Sequence, residues 1–178
     1  MARAVIFCSM ERVPNESFSE ADVAAIRRLS MQASNAIREI VWLINPEYDT
    51  LQDLVARMED AARSLLPGIA CRFEKRQEHY AWRLPLHQRQ NLFLLFKEIL
   101  TNVAKHAGAS EVEILVAESH HHWELCVQDN GVGFDPKAEH AGNGLNNLRQ
   151  RAARLKGDLQ VQSRPGAGTK VTFAMTMS

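Results

Sequence analysis

Neither sign of charge is in excess in this chain of 178 residues: Lys and Arg together number 21, and so do Asp and Glu. That balance removes the electrostatic argument for a nucleic-acid or anionic-membrane partner. No apolar run approaches the roughly 20 residues that span a bilayer. The run near the start, Ala4 to Cys8, is too short for a signal peptide and lacks a cleavage pattern. Cysteines are few. Cys8, Cys71 and Cys126 lie in apolar or strand-like surroundings without metal-ligand spacing, which predicts buried thiols in a reducing compartment and argues against a disulfide frame. Internal repeats and low-complexity tracts are missing too. What remains is a cytoplasmic protein or module: one ordinary domain, or a small domain with an appendage. Its 46% hydrophobic residues can supply a core.

The chain opens on a short apolar segment, residues 1 to 13, that reads like the tail of a helix and is broken by Pro14 and Asn15. Ser19 with Asp22 three positions on forms a capping pair for a long helix. Its stripe is Val23, Ile26, Ala33, Ile37, Ile40 and Ile44, with Ser30 the one polar member and Leu29, Ala36 and Leu43 on the flank. So broad an apolar face needs another helix, or another copy of itself, to cover it. Asn45-Pro46 ends that helix. Thr50 and Asp53 open a second one with Leu51, Leu54, Val55, Met58 and Leu65 inward, stopping before Pro67-Gly68.

A strand is predicted at Ile69 to Glu74, with Ile69, Cys71 and Phe73 on one face, and a second candidate strand at His79 to Leu84. The spacing then predicts a helix over Asn91 to Gly108. After it, Val112, Ile114 and Val116 alternate, His120 to His122 make a loop, and Trp123, Leu125 and Val127 alternate again as a hairpin. The three adjacent histidines read as a solvent-exposed tip, not a metal site. A helix over Leu145 to Lys156 turns Leu145, Leu148, Ala152 and Leu155 inward and stops at Gly157. Two strands, Leu159 to Ser163 and Thr169 to Thr176, finish the chain around Pro165-Gly166-Ala167-Gly168. Strands joined by hairpins and mixed with helices imply an α+β fold, a two-layer α/β sandwich with a mixed sheet covered by helices.

Three stretches carry chemistry. On the Asn91 to Gly108 helix, Leu92, Leu95, Phe96, Ile99, Leu100 and Val103 form a core stripe, while Glu98, Thr101, Asn102 and Lys105 share the other side. A carboxylate, a hydroxyl, a carboxamide and an ammonium can be a solvated face. They also supply hard oxygen ligands for a magnesium-bound polyphosphate and a cation for its charge. Asp129-Asn130-Gly131-Val132-Gly133-Phe134 follows a strand and sets a carboxylate beside two glycines. A fixed carboxylate there accepts from an exocyclic amine such as that of adenine and rejects a carbonyl. Gly142-Asn143-Gly144-Leu145 runs into a helix start, where backbone N–H groups favour phosphate. Singly, each motif is also an ordinary turn or a loop before a helix.

In this order, Glu98-x-x-x-Asn102, Asp129-x-Gly131-x-Gly133, Gly142-x-Gly144-Leu145 and Gly166-x-Gly168-Thr169 resemble the nucleotide-binding module shared by gyrase-type ATPases and histidine kinases, over about residues 68 to 178. Lys105-His106-Ala107, GNGLNNLRQRA and PGAGTKVTF are most similar to the two-component histidine kinases of the nitrate-sensor type. Ala36-Ile37-Arg38-Glu39 to Leu43-Ile44-Asn45-Pro46 resembles the end of the second dimerisation helix of those kinases. The resemblance implies a helical-hairpin dimerisation segment over 1–48, partial here, and an ATP-binding catalytic domain over 49–178. It implies ATP and Mg²⁺ as cofactors. Asp129 would hold the adenine amino group, with Thr169 near the same edge, Gly133 giving the base room and Gly131 in the same motif. Asn102 would ligate Mg²⁺, and Glu98 would be the catalytic polarising or acid/base group. Lys105 and His106 would approach ribose or phosphate, Phe134 to Asn143 would be a short lid, and the amides of Gly142, Gly144 and Leu145 would contact phosphate. The implied partners are a response regulator, whose aspartate receives the phosphoryl group from a histidine, and a second copy through the N-terminal helices. Membrane contact would belong to an anchor upstream of this segment.

One departure from the family stands out. The acceptor histidine of such kinases is followed by an acid, yet none of His79, His87, His106, His120, His121, His122 and His140 is, and none lies in the N-terminal helices. The expectation is a fragment that begins inside the first dimerisation helix, binding nucleotide without labelling itself. Two rivals stay open on the residues alone: a regulatory module of the anti-sigma serine-kinase kind, and a pseudokinase scaffold that dimerises without using ATP.

Overall fold

The computed structural model describes residues 19–45, 48–76, 82–119, 121–136 and 143–177. The half-helix expected at residues 1–13, its break at Pro14 and Asn15, Cys8, Pro46, the start of the second candidate strand, His120, Gly142 and residues 137–142 of the lid lie outside the described residues. Two compact units divide between Trp42 and Leu43.

The first unit is helix α1 (Glu20–Ile44), whose last residues already belong to the second unit. It opens on a reciprocal cap. Ser19 Oγ accepts from the Asp22 amide at 3.2 Å, and Asp22 Oδ2 accepts from the Ser19 amide at 3.0 Å, which satisfies two N–H groups that a helix start leaves orphaned. Val23, Ile26, Leu29 and Ile37 are all more than half exposed. Of the expected helical hairpin, α1 is the part that falls among the described residues. No helix among the described residues is long and apolar enough to cross a membrane.

The second unit begins in earnest with α2 (Leu51–Leu65), capped by the same chemistry: Thr50 Oγ1 accepts from the Asp53 amide at 3.1 Å and Asp53 Oδ2 from the Thr50 amide at 3.3 Å. Leu51, Leu54, Val55, Met58 and Ala62 are buried. Leu65, expected inward, is half-buried, and Ala62 and Leu66 take that end of the stripe. Strand β1 (Ala70–Arg76) follows, then α3 (Leu86–Asn102), β2 (Glu111–Ser119), β3 (His122–Asp129), α4 (Asn143–Arg154), β4 (Asp158–Ser163) and β5 (Thr169–Thr176).

The five strands form one sheet in the order β1-β2-β3-β5-β4. β1 pairs β2 in parallel because α3 carries the chain back between them; the other three pairings are antiparallel. The mixed two-layer α+β architecture expected from the sequence is therefore the one that forms. On the covered face, Phe73, Ile114, Val127, Val171 and Val161 make one row across all five strands. The next row, at the mouth of the sheet, is Cys71, Val112, Asp129, Thr169 and Ser163. Helix α3 packs between α2 and α4 and buries Leu92, Phe93, Leu95, Phe96, Ile99 and Leu100. Burying each such side chain is worth about 1.5–3 kcal/mol, so this helix is fixed firmly enough to serve as a platform.

Several sequence expectations change. α3 starts five residues before Asn91, because Arg89 and its neighbours in the polar run Leu86 to Gln90 hide the helix from any periodicity test, although the Arg89 amide bonds back to the Pro85 carbonyl at 3.0 Å. Arg89 itself is buried, its guanidinium donating to the Asn45 and Tyr48 carbonyls. α3 ends as an α-helix at Asn102 and continues as a π-helical turn, Val103–Ala107, before Gly108 closes it in the left-handed region at φ 56°. The described residues of the second candidate strand, 82–84, do not join the sheet. Within its described part, the Leu51 amide bonds to the Trp82 carbonyl at 2.8 Å and the Leu84 amide to the Asp49 carbonyl at 2.7 Å, an isolated bridge at the mouth of α2. Pro85 follows at once and offers no N–H to extend it. The hairpin turn is tighter than the expected loop: His121 sits at φ 67° and His122 is already in β3, both exposed. Buried thiols were also expected. Cys71 is exposed because β1 is an edge strand, and Cys126 is half-buried on the outer face of the sheet.

Candidate functional site

The site is assembled from α3, the end of β3, the start of α4 and the start of β5. With its apolar face anchored in the core, α3 turns Glu98, Thr101 and Asn102 to the other side, where all three are half-buried and not fully solvated. Thr101 spends its proton within the helix, donating to the Lys97 carbonyl at 2.7 Å. The π-helical turn then inserts an extra residue per turn, a feature that marks functional helices. It leaves Lys105 and His106 exposed at the rim and aims the Ala107 carbonyl at the loop after β3, where the Val132 amide donates to it at 2.8 Å.

Asp129 ends β3 and is 6% exposed. Its Oδ1 accepts from the Gly131 amide at 2.8 Å, which fixes the carboxylate plane. Its Oδ2 accepts from no group among the described residues. Asn130, beside it, is structural: its Oδ1 takes the amides of Ser110 and Glu111, both at 3.0 Å, and ties β3 to β2. Gly131 does not line the cleft. A Cβ there would collide with the Ala107 carbonyl, so the residue lets the loop seat against the π-helical turn. Gly133 does line the cleft. It has φ +60° and no room for a side chain against the Arg164 carbonyl.

These elements enclose a cleft of about 620 Å³, within the size range of small-molecule sites. Ile99, Val127, Leu148, Val161 and Val171 give it apolar walls, and Glu98, Asn102, Lys105, His106, Asp129 and Thr169 bring the polar groups. Gly144 and Leu145, at the start of α4, complete the lining. A Cβ on Gly144 would lie 3.2 Å from Glu98 Oε1 and 3.3 Å from Asn102 Oδ1. The glycine thus keeps the space in front of those two oxygens open at a helix N-terminus, where anions are favoured. Of the expected site residues, nine line this one cleft. Gly131 shapes it from behind, and Gly142 lies outside the described residues.

Among the described residues, no cluster of three or more His, Cys, Asp or Glu could hold a metal ion by itself. The donors at hand are one carboxamide and one carboxylate, so a hard cation here has to complete its oxygen shell with a ligand that brings its own. Magnesium fits that description when it arrives with phosphates, because it keeps few protein ligands and takes the rest from substrate oxygens and water.

Ser163 was not among the expected residues. Its hydroxyl touches three groups around the cleft: the Phe134 amide donates to it at 2.9 Å, it donates to the Gly168 carbonyl at 2.9 Å, and Thr169 Oγ1 lies at 3.0 Å. The available signal was weak: in β4, Leu159 and Val161 alternate inward and a serine takes the third inward place.

Comparison with known proteins follows the same lines. The chain is 30% identical over 153 residues to the histidine-protein kinase/phosphatase UhpB of Salmonella typhimurium, covering 83% of this chain and 30% of that one. It is 39% identical over 89 residues to the nitrate/nitrite sensor protein NarX of Escherichia coli, covering 49% of this chain and 15% of that one. The chain thus spans under a third of the length of these relatives. In fold it is similar to the histidine kinase AdeS of Acinetobacter baumannii, with a TM-score of 0.62 at 15% identity over 92% of this chain and 87% of the other. The family model described as histidine kinase-, DNA gyrase B- and HSP90-like ATPase matches residues 87–178, more than half of the chain. With the cleft-bearing helix, the carboxylate and the glycines all inside that match, the chain belongs to the histidine kinase-, DNA gyrase B- and HSP90-like ATPase family.

Proposed function

We propose that this chain binds magnesium-chelated ATP in the cleft and, within its intact protein, donates the γ-phosphoryl group to a histidine, from which it passes to a response-regulator aspartate. One observation carries the reading: Asp129 and Asn102, 27 positions apart in a chain that need not have brought them together, line the same cleft. Asp129 Oδ2 is the acceptor for the adenine amino group, in a pocket whose valine and leucine walls suit a flat base. Gly133 leaves the base room, and Thr169 stands beside the carboxylate in register. Asn102 would supply a carboxamide oxygen to magnesium, which would offset the charge of the phosphates. Glu98 polarises the γ-phosphate end. Lys105 and His106, exposed at the rim, approach ribose or phosphate, and the amides at Gly144 and Leu145 face the phosphates. Phosphoryl transfer rests on positioning and charge neutralisation more than on covalent help, and no nucleophile is needed in the cleft. The apolar stripe of α1 belongs, on this reading, to a helix bundle with a second copy, and the chain works in the cytoplasm, where ATP is.

Calorimetry with magnesium and ATP tests the assignment. Asp129→Asn removes an ionic hydrogen bond to a buried amine, so affinity should drop by about ten- to a hundredfold, or roughly 1.5–3 kcal/mol, with the fold intact. An Asp129→Asn protein that binds ATP as tightly as the parent sinks the base-reading role.

A further inference from the structure

Ser163 closes β4 on the covered face of the sheet. It pairs in register with Thr169, and Thr169 pairs with Asp129, so the three stand side by side across neighbouring strands. A serine hydroxyl has one proton and two lone pairs, and here all three are assigned. The Gly168 carbonyl oxygen, 2.9 Å away, can only accept, so it takes the Ser163 proton. The Phe134 amide, also at 2.9 Å, can only donate, so it occupies one lone pair. The contact with Thr169 Oγ1 at 3.0 Å still needs a hydrogen. The one left to supply it is the Thr169 proton, which is therefore turned toward Ser163. What Thr169 shows the cleft is its lone pairs.

We propose that Ser163 is a positioning residue that holds the Thr169 hydroxyl as an acceptor and thereby sharpens the choice of an amino-purine over an oxo-purine nucleotide. The inference rests on the ATP reading above. Asp129 offers the cleft a carboxylate oxygen, and Thr169, beside it, offers a second acceptor. A base edge that carries an amine finds partners for its N–H groups. An edge with a carbonyl oxygen at that place meets two acceptors and no donor, and a buried acceptor left unpaired is costly. Without Ser163 the threonine hydroxyl rotates freely and can donate to that carbonyl, so half of the discrimination is lost while the carboxylate remains.

The test compares ATP with inosine triphosphate, each with magnesium, by calorimetry on the full chain. The parent should prefer ATP. Ser163→Ala and the near-isosteric Ser163→Cys should each narrow the affinity ratio by about three- to tenfold, the weight of one hydrogen bond. In a Thr169→Val background the same serine substitutions should leave the ratio where Thr169→Val alone puts it, because the group they reorient is gone. A serine that merely braces the loop would weaken both nucleotides alike. An unchanged ratio in Ser163→Ala or Ser163→Cys, or an equal change in the valine background, overturns the proposal. Failure of the underlying reading is distinguishable: a parent that binds neither nucleotide, or an Asp129→Asn protein whose ATP preference is undiminished from the parent's, brings down the ATP assignment itself and this inference with it. A reduced preference in Asp129→Asn with an unmoved ratio in the serine variants brings down this inference alone.

Discussion

Helices α1 and α3 carry apolar residues at the same three- and four-residue steps, and they meet different fates. In α3, Leu92, Leu95 and Phe96 are fully buried, while Glu98 and Asn102, on the opposite side, face an enclosed cleft. In α1, Val23, Ile26, Leu29 and Ile37 stand in the open. Periodicity sets which side of a helix is apolar; it is silent on whether the same chain supplies the cover. The difference teaches where function can be built. A side chain placed within a few tenths of an ångström of a ligand needs a support that does not shift, and the buried face of α3 gives it one.

The largest effect should come from breaking the support of α3. Phe96→Ala empties a site with no exposed surface and should cost about 3–5 kcal/mol in a urea titration of the parent chain. Ile26→Ala, at a position 55% exposed, should move the same transition by no more than about 0.5 kcal/mol. A comparable loss in both would mean that α1 is covered after all, and a midpoint that rises with protein concentration would show that a second copy does the covering.

A smaller contrast separates the two helix caps. Thr50→Ala removes a cap at the mouth of the packed unit and should cost about 1 kcal/mol of its stability. Ser19→Ala removes an equivalent cap from α1, yet it should lower helical circular dichroism while leaving the main transition in place. Equal shifts of that transition would erase the distinction between the two helices.

The smallest effect concerns the ion pair that joins α2 to β1. Glu59 meets Lys75 and Arg63. The Lys75 hydrogen bond, helped by the charges of Lys75 and Arg63 and opposed by burial, holds its carboxyl below the ordinary value of 4.5. A folded-state pKa below the unfolded one adds stability above the ordinary value, and that addition is lost as pH falls through the lowered one. Glu59→Gln should therefore cost under about 1 kcal/mol near neutrality, and its gap to the parent should shrink as pH falls from 4.5 downward. A gap that widens in acid would reverse the sign of this contribution.

Much of this was legible from residues in order. The Thr50–Asp53 and Ser19–Asp22 pairs announced both helix starts, because a cap is a local bond between residues three apart. β5 came out with the bounds read from its alternation, Thr169–Thr176. Alternation in β2 and β3 named their inward faces for the same reason: strand periodicity is local. What misled was also physical. The polar start of α3 is held by its buried Arg89, which grips the carbonyls of Asn45 and Tyr48, more than forty positions upstream, and no periodicity encodes such a grip. The π-helical turn after Asn102 likewise answers to a distant partner, the Val132 amide on the Ala107 carbonyl. Cys71 looked like an inward strand residue, and its exposure follows from β1 lying at the sheet's edge.

By itself, then, the sequence determined the order of the main helices and strands, the apolar face of most of them, and most of the polar groups that line the cleft, all of which depend on neighbours a few residues away. The tertiary structure alone decided that Glu98, Asn102, Asp129, Gly144 and Thr169 share a cleft, that Gly131 stands behind it, and that Ser163 saturates its hydroxyl against Thr169. Apart from the six-position step between Ser163 and Thr169, those are meetings between segments 15 to 71 positions apart, set by the order of strands and the packing of α3 between α2 and α4, and long-range packing has no signature in local periodicity.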